Sequence, residues 1–324
     1  MRIKLVSSFA IAAAVGVFSS FGTPSVAADK FPTRPIQVII PFQPGDTDNL
    51  LRPFIDKMGE FLGQPLSLVY KPGAAGAVGA GFVAASKPDG YLMVGTSHSS
   101  VVVVPLTNKD VGYKLESFAP VAALVESGSL LVVLATSPWK TMKDLVEDSK
   151  KSPGKISYTS SGTFGVNHLI PEAFTKEAGI KWTHIPSQGS GPAITAVLGG
   201  HVNLASTAIA PALPHIRAGT LRPLAAYGVR RVKAFPDVPT LTELGYSVAS
   251  PSYYGILAPK GTPKEVVNAI YEAAKKSVEK YNEQITARLT PLGVEIKLLG
   301  PEDYAAYLKN QNDLFAGVLK TLKN

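Results

Sequence analysis

Glycine, serine and threonine residues follow three apolar segments of the chain, and their types suit the binding of a small anion. These clusters occupy residues 41–48, 95–98 and 159–165. Backbone N–H groups at the start of a helix, with hydroxyl groups beside them, bind an anion without a lysine or arginine. For any one cluster, helix capping by Thr47, Asp48 or Ser160 is the simpler interpretation. Three clusters that follow strands together predict a shared anion-binding cleft.

Residue patterns that would indicate catalysis are missing from the sequence. No serine stands in a G-x-S-x-G motif, and Gly189-Ser190-Gly191 is typical of a turn. The 5 histidines include no H-E-x-x-H motif and no pair four residues apart, and the chain has no cysteine. No glycine-rich nucleotide motif is present either. We therefore predict a protein that is not an enzyme and that uses no cofactor and no metal.

The distribution of charge argues against a nucleic-acid partner. The chain has 324 residues and a formal net charge of +8, but its lysines and arginines are scattered. The only dense basic cluster, residues 230–233, lacks the interleaved aromatic side chains that would stack on bases. Solvated helix faces account for most of this charge, so we predict no nucleic-acid binding.

The first 28 residues have the pattern of a cleaved secretory signal peptide. Arg2 and Lys4 precede an apolar run over residues 9–18, and small residues follow up to Ala28. The apolar run is shorter than the ~20 residues that span a bilayer. An uncleaved N-terminal anchor is the alternative interpretation, and a lipoprotein anchor is excluded because no cysteine follows the run. We therefore expect an exported protein.

Short apolar strands alternate with helical stretches from residue 36 onward, the pattern of an α/β protein. The spacing predicts strands over residues 36–40, 66–70, 91–95, 118–124, 129–135, 156–159 and 202–206. It predicts helices over residues 48–62, 141–150, 168–177, 264–289 and 301–323. The anion-suited clusters then lie at the carboxyl ends of strands, where open α/β sheets bind ligands. Two extended apolar segments, residues 118–135 and 253–259, are predicted to pass between two lobes.

An ordered series of motifs carries a family resemblance over the whole chain that follows the signal peptide. The series is Phe31-Pro32-Thr33-Arg34-Pro35-Ile36, Pro41-Phe42-x-Pro44-Gly45, Lys87-Pro88-Asp89-Gly90-Tyr91, Phe118-Ala119-Pro120-Val121, Pro153-Gly154-Lys155, Ala212-Leu213-Pro214-His215-Ile216-x-Ala218-Gly219, Phe235-Pro236-Asp237-Val238-Pro239-Thr240 and Leu257-Ala258-Pro259-x-Gly261-Thr262-Pro263. Each motif alone is weak, but their order is specific. The chain resembles the Bug family of periplasmic receptors, the solute-binding component of tripartite tricarboxylate transporters.

The resemblance implies an α/β, two-lobed periplasmic-binding-protein fold, type II-like, with two crossing strands as the hinge. It implies a signal peptide over residues 1–28, a first lobe over 29–126 plus 253–324, and a second lobe over 127–252. The implied partners are a small organic carboxylate, held between the lobes, and the integral membrane subunits of a tripartite transporter. The protein is expected to be a monomer in the periplasm.

The resemblance also places the carboxylate-holding loops at residues 42–48 and 160–168, with further strand-end residues lining the cleft. The ligand-binding residues are then Phe42, Gly45, Thr47, Asp48, Thr96, Ser97, Ser160, Ser161, Gly162, Thr163, Phe164, His168, Thr207 and Tyr253. This chain departs from the family pattern in two places. Gly45-Asp46 replaces two or three glycines before Thr-Asp, and Phe164 replaces a glycine.

Aromatic side chains in the predicted cleft favour a planar ligand. Phe42 and Phe164 stand in facing loops, and Tyr253 and Tyr254 lie at the predicted second crossing. We expect an aromatic acid or a dicarboxylate, although the tyrosines could instead pack the hinge and Phe164 could pack under its own loop. Two other functions remain open: an enzyme on the same bilobed scaffold, and a receptor for a signalling system.

Overall fold

Strands and helices alternate along the chain, and their bounds define the fold. The computed structural model describes residues 31–323, so the predicted signal peptide lies outside the described residues. The strands are β1 (Ile36–Ile40), β2 (Leu66–Tyr70), β3 (Leu92–Ser97), β4 (Phe118–Ser127), β5 (Ser129–Leu134), β6 (Ser157–Ser160), β7 (Thr183–Pro186), β8 (Leu204–Ala208), β9 (Leu221–Ala226), β10 (Ser252–Pro259) and β11 (Glu295–Leu299). The α-helices are α1 (Asp46–Leu62), α2 (Ala77–Ala84), α3 (Val104–Thr107), α4 (Met142–Lys151), α5 (Val166–Glu177), α6 (Ser190–Leu198), α7 (Ile209–Arg217), α8 (Lys264–Leu289) and α9 (Pro301–Lys323).

The described strands form two mixed sheets. The first has the order β11-β4-β10-β3-β1-β2, and the second has the order β7-β6-β8-β5-β9. In the first sheet β1 is parallel to β2 and β3, and β10 is antiparallel to both β3 and β4. In the second, β6 is parallel to β7 and β8, and β5 is antiparallel to β8 and β9. Consequently β1–β4 end at one edge of the first sheet, and β6–β9 end at one edge of the second.

The chain crosses from the first sheet to the second at Gly128, between β4 and β5. This confirms the predicted crossing within residues 118–135. The predicted second crossing at residues 253–259 is wrong in position, because those residues lie in β10, between β3 and β4 of the first sheet. The chain returns through residues 227–251, before β10 begins. The apolar run was interpreted as a crossing segment, but it is apolar because it belongs to a central strand that is buried on both faces.

Both faces of each sheet are covered, as the alternation of side chains along a strand requires. In β1, Val38 packs with α1 and α8 residues on one face, and Ile39 packs with α2 residues on the other. In β5, Leu131 packs toward α4 and α5, whereas Leu130 packs toward α6 and α7. Each sheet therefore has its own core on either side.

Helix α9 contributes to the cores of both sheets. Tyr304 and Leu308, in its first half, are buried in a cluster with side chains of the first sheet. Phe315 and Val318, in its second half, are buried among side chains of the second sheet and of α4 and α5. The helix therefore packs against both sheets.

Among residues 31–323, no helix has the length and hydropathy to cross a membrane.

A buried polar network lies where α9 meets the returning chain. The His98 imidazole is fully buried and lies 2.7 Å from the Tyr307 hydroxyl through Nδ1. That hydroxyl donates to the carbonyl of Pro251 at 2.8 Å, and Ser250 Oγ donates to Gln311 Oε1 at 2.9 Å. Burial lowers the pKa of His98 to about 3, so the imidazole is neutral at neutral pH. The network joins the end of β3, the returning segment and α9.

Several elements differ from their predicted bounds at the places that matter for the site. Helix α1 begins at Asp46, two residues earlier than predicted, and α5 begins at Val166. Strand β3 continues through Ser97, because residues 96 and 97 pair with β10. Strand β8 continues to Ala208, because Ser206 and Thr207 pair with β5. Polar side chains were interpreted as loop residues, but cross-strand pairing extends both strands through them.

Candidate functional site

The first predicted loop, between β1 and α1, is held by a carboxylate. Gly45 precedes α1 with φ at 147°, a conformation that L-residues rarely adopt, and its N–H donates to Asp48 Oδ1 at 2.7 Å. The Tyr70 hydroxyl donates to Asp48 Oδ2 at 2.7 Å. Asp48 is buried, and Arg52 lies 3.8 Å from the same Oδ2. Both oxygens of Asp48 therefore organise the loop. Thr47, also buried, does not occupy the capping position, which belongs to Gly45.

A Gly/Ala segment that sequence analysis did not include in the site forms a further wall of this region. Residues 73–76 all have positive φ, and two of them, Ala74 at 48° and Ala75 at 54°, are not glycines. A Cβ atom on Gly76 would lie 2.5 Å from Ser100 Oγ and 3.1 Å from Phe42 Cζ. The segment therefore contacts the first predicted loop and the end of β3. Left-handed alanines cost energy and concentrate at functional sites, a signal that composition alone does not reveal.

The polar residues at the end of β3 are buried and bonded to one another. Thr96 Oγ1 and Ser100 Oγ lie 2.9 Å apart, and Ser97 Oγ accepts from the Ser99 N–H at 3.4 Å. The backbone carbonyl of Ser100 accepts from the Tyr113 hydroxyl at 2.6 Å. These bonds hold the turn that follows β3 in one conformation.

The second predicted loop, between β6 and α5, is folded around the Ser160 hydroxyl. Ser160 is fully buried, and its Oγ donates to the Gly162 carbonyl at 2.8 Å. The same oxygen lies 2.8 Å from His184 Nε2 of β7, and because its own hydrogen is used toward Gly162 it accepts a hydrogen bond from that imidazole. Gly162 has φ at 146°, nearly the value of Gly45 in the first loop. The Ser160 hydroxyl thus holds the loop together from within.

The outer part of the second loop presents an aromatic side chain. Phe164 is 50% exposed, has φ at 59°, and contacts His168 edge-on with ring centroids 5.7 Å apart. Its N–H donates to His168 Nδ1 at 3.0 Å. Asn167 Nδ2 donates to Ser161 Oγ at 3.2 Å, and the buried Asn167 Oδ1 has no partner among the described residues. Thr163 is exposed beside Phe164. Phe164 therefore lines an accessible surface.

The structure brings the second loop against the first sheet. A Cβ atom on Gly165 would lie 4.0 Å from Ser99 Oγ, in the turn after β3. The same turn also lies near Phe42, since a Cβ atom on Gly76 would lie close to both Ser100 Oγ and Phe42 Cζ, so parts of both predicted loops approach the turn after β3. Two predicted residues pack elsewhere in part: Thr207 lies in β8 with its hydroxyl donating to the Ala208 carbonyl, and the Tyr253 ring packs 4.4 Å from Tyr307.

The three segments of the predicted site contain few charged side chains. Residues 41–48, 95–100 and 159–168 contain no lysine or arginine, so N–H groups and hydroxyls are the donors they offer. Burial lowers the pKa of His184 to about 4, with His168 as a second cause, and burial also lowers the pKa of His168. No cluster of histidine and acidic side chains within residues 31–323 is placed to hold a metal ion. Within these three segments, the groups that can contact an anion favourably are therefore hydrogen-bond donors.

A separate groove of about 690 Å³ lies between α6 and α7. Its lining combines apolar side chains with two histidines, His201 and His215, and includes none of the predicted site residues. No lysine or arginine is among its lining side chains within the described part of the chain.

Comparison with known sequences identifies close relatives. The family described as "Tripartite tricarboxylate transporter family receptor" matches residues 50–322. A Cupriavidus necator protein, "UPF0065 protein in gbd 5'region", is 34% identical over 94% of this chain and 93% of its own length. The Bordetella pertussis protein BugT is 32% identical over 95% of this chain and 96% of its own length.

Comparison with solved structures finds the same two-lobed fold. "Structure of a periplasmic transporter" is 37% identical, with a TM-score of 0.81 over 90% of this chain and 97% of that chain. MatC of Rhodopseudomonas palustris with bound malate is 26% identical, with a TM-score of 0.78 over 89% of this chain and 99% of that chain. An R. palustris protein with adipate has the same identity and TM-score over 90% and 98% of the two chains.

Proposed function

This chain belongs to the tripartite tricarboxylate transporter receptor family, and from this membership we propose that it captures a small organic carboxylate between its lobes. The bound acid would pass to integral membrane subunits of a tripartite transporter. Export to the periplasm would use the predicted signal peptide, and the receptor would work as a monomer. Receptors of the same fold with malate and adipate support the ligand class.

The observation that carries this proposal is the matched construction of the two loops. Each follows a strand, precedes a helix and contains a glycine whose φ is close to 147°, namely Gly45 and Gly162. In each, side chains bond within the loop, through Asp48 in the first and Ser160 in the second. Such loops leave backbone N–H groups at helix N-termini to face an anion, where the helix dipole also favours negative charge.

The ligand class is open to a direct binding test. Isothermal titration against malate, succinate, adipate, benzoate and terephthalate should find one acid bound at micromolar affinity or better, about −8 kcal/mol. The exposed ring of Phe164 favours terephthalate or benzoate, since an aromatic pair adds about 0.5–1.5 kcal/mol beyond area burial. Tighter binding of succinate or adipate would contradict the preference for an aromatic acid, but it would still support a carboxylate receptor. Binding of neutral sugars alone would contradict the carboxylate proposal.

We propose that the lobes follow the two sheets, with bounds at residues 29–126 plus 253–324 and 127–252, and that they close on the acid. Ligand held by both lobes stabilises the closed state over the open state, so the population shifts toward closure. Small-angle X-ray scattering should show a smaller radius of gyration at saturating ligand. Identical scattering with and without a bound acid would contradict closure. The Gly128 crossing and the segment before β10 would bend in this motion.

An enzyme on this scaffold is the second candidate, because the structure contains a serine paired with a histidine. Ser160 Oγ and His184 Nε2 are 2.8 Å apart, as in a nucleophile and its base. However, Ser160 is fully buried and its hydroxyl donates a hydrogen bond to the Gly162 carbonyl, so its oxygen is not presented to a substrate. Labelling of Ser160 by a phosphonate ester would support an enzyme, whereas we expect no labelling of a receptor.

A further inference from the structure

Two imidazoles stack directly behind the second loop. His168 of α5 and His184 of β7 have ring centroids 4.0 Å apart and planes 24° from parallel. The His168 side chain is only 12% exposed. The Tyr158 ring also packs against His184, with ring centroids 4.7 Å apart. The pair therefore forms the rear wall of the loop that presents Phe164.

The hydrogen bonds fix which ring nitrogen of each histidine carries the proton. His168 Nδ1 accepts the Phe164 N–H at 3.0 Å, so this nitrogen is unprotonated and the proton is on Nε2. His184 Nε2 faces Ser160 Oγ, which already donates to the Gly162 carbonyl, so His184 donates through Nε2. Both imidazoles are neutral in this arrangement. His168 thus accepts the hydrogen bond of an N–H group that belongs to the loop itself, so this N–H group does not point to a ligand.

The charged and titratable groups that face His168 come from each element packed against it. From α5, Glu172 Oε1 lies 3.9 Å from His168 Nε2. From β6, Tyr158 stacks at 6.5 Å and donates its hydroxyl to the same Glu172 oxygen at 2.6 Å. From β7, the facing group is His184. Burial lowers the pKa of His168 while Glu172 raises it, so His168 can take up a proton in response to a nearby negative charge.

We propose that His168 is a positioning residue that holds the Phe164 N–H in the ligand-free receptor and releases it to a bound carboxylate by taking up a proton. The proton comes from solvent and adds to Nδ1, which then no longer accepts the Phe164 N–H. The freed N–H donates to the ligand carboxylate, and the imidazolium stabilises its charge from behind the loop. Glu172, beside Nε2, stabilises the same imidazolium. This inference rests on the proposed carboxylate function.

The sign of the pH dependence follows from this exchange. The ligand carboxylate raises the pKa of His168 in the complex above its value in the free receptor. Affinity therefore increases as the pH falls from above the bound-state pKa toward the free-state pKa, by up to about tenfold per pH unit for one proton. Above the bound-state pKa both states are neutral, and affinity is independent of pH.

The test is titration calorimetry in two buffers of similar pKa and different ionisation enthalpy, PIPES and imidazole, with the tightest-binding acid of the panel above. The wild-type receptor should take up a proton on binding, and this uptake should decrease as the pH is raised. His168→Asn places an amide oxygen near the position of Nδ1 but does not titrate, so it should bind without proton uptake and with a flat pH profile. His201→Asn, in the α6–α7 groove, should behave as wild type.

The outcomes separate this inference from the proposed function. Wild-type binding without proton uptake, or uptake retained by His168→Asn, would overturn the role of His168 and leave the carboxylate receptor standing. If His168→Asn does not fold, the comparison of the two buffers with the wild-type protein still shows whether binding takes up a proton, and binding without uptake would overturn the role of His168. If no acid of the panel binds, the proposed function and this inference both fail.

Discussion

Gly45→Ala is expected to lose about tenfold or more in carboxylate affinity while the protein stays folded. Gly45 has φ at 147°, where a Cβ atom is strained by about 1–3 kcal/mol. No atom lies within 4 Å of the Cβ position, so the strain is conformational and not a clash. The loop can relieve it by moving its N–H groups, which are the groups proposed to bind the ligand. Titration calorimetry with the tightest-binding acid measures the loss.

The matched control is Gly63→Ala, at the opposite end of α1. Gly63 has φ at 72° and also has no atom within 4 Å of its Cβ position. Gly63→Ala should lower the free energy of unfolding by about 1–2 kcal/mol, because it forces alanine into the left-handed helical conformation. Gly45→Ala should lower it by a similar amount, about 1–3 kcal/mol. Only Gly45→Ala should weaken binding. Equal affinities of the two variants would show that the first loop does not hold the ligand.

Gly255→Ala should cause the largest loss of stability of any glycine-to-alanine change considered. A Cβ atom on Gly255 would lie 2.2 Å from the Ala122 carbonyl oxygen and 2.8 Å from Ala123 Cα. Both are backbone atoms of β4, and β10 pairs with β4 on one side and β3 on the other. Neither strand can move alone, so we expect about 3 kcal/mol or more, the upper end of overpacking. Thermal unfolding followed by circular dichroism measures it.

Gly317→Ala is the control for this prediction. It lies in α9 with no atom within 4 Å of the Cβ position, so alanine should stabilise the helix by about 0.5–1 kcal/mol. A melting temperature of Gly255→Ala close to the wild-type value would contradict the tight β10–β4 contact.

Much of the secondary structure could be predicted because its signals are local. Strands β1 and β2 and helices α8 and α9 have the predicted bounds, since their apolar residues repeat with the period of each element. Of the three anion-suited clusters, the first follows β1 as predicted, whereas the other two begin within β3 and β6 and extend past the ends of these strands. Each of these inferences needs only neighbouring residues, so one sequence was enough.

The bonding of the site residues could not be predicted, because it depends on distant partners. Ser160 was predicted as a ligand-binding residue, but its hydroxyl is engaged by Gly162 and by His184, 24 residues away. Asp48 is held by Tyr70, 22 residues away. No local pattern reveals that these polar groups bond to one another. Their direct contact with a ligand therefore stays a prediction.

The role of α9 was equally beyond a local interpretation. Its apolar stripe predicts a buried face, but not that one half packs on the first sheet and the other half on the second. The network of His98, Tyr307 and Gln311 joins residues about 200 positions apart. A lone buried histidine carries no sequence signal of such a network.

The most direct test of the account is a crystal structure of the protein with the tightest-binding acid of the panel. The account predicts a carboxylate group hydrogen-bonded to backbone N–H groups at the start of α1 or in the second loop, with ligand atoms in contact with both lobes. The Phe164 N–H should then face the ligand and no longer His168. An acid bound in the groove between α6 and α7, or held by one lobe alone, would contradict the account.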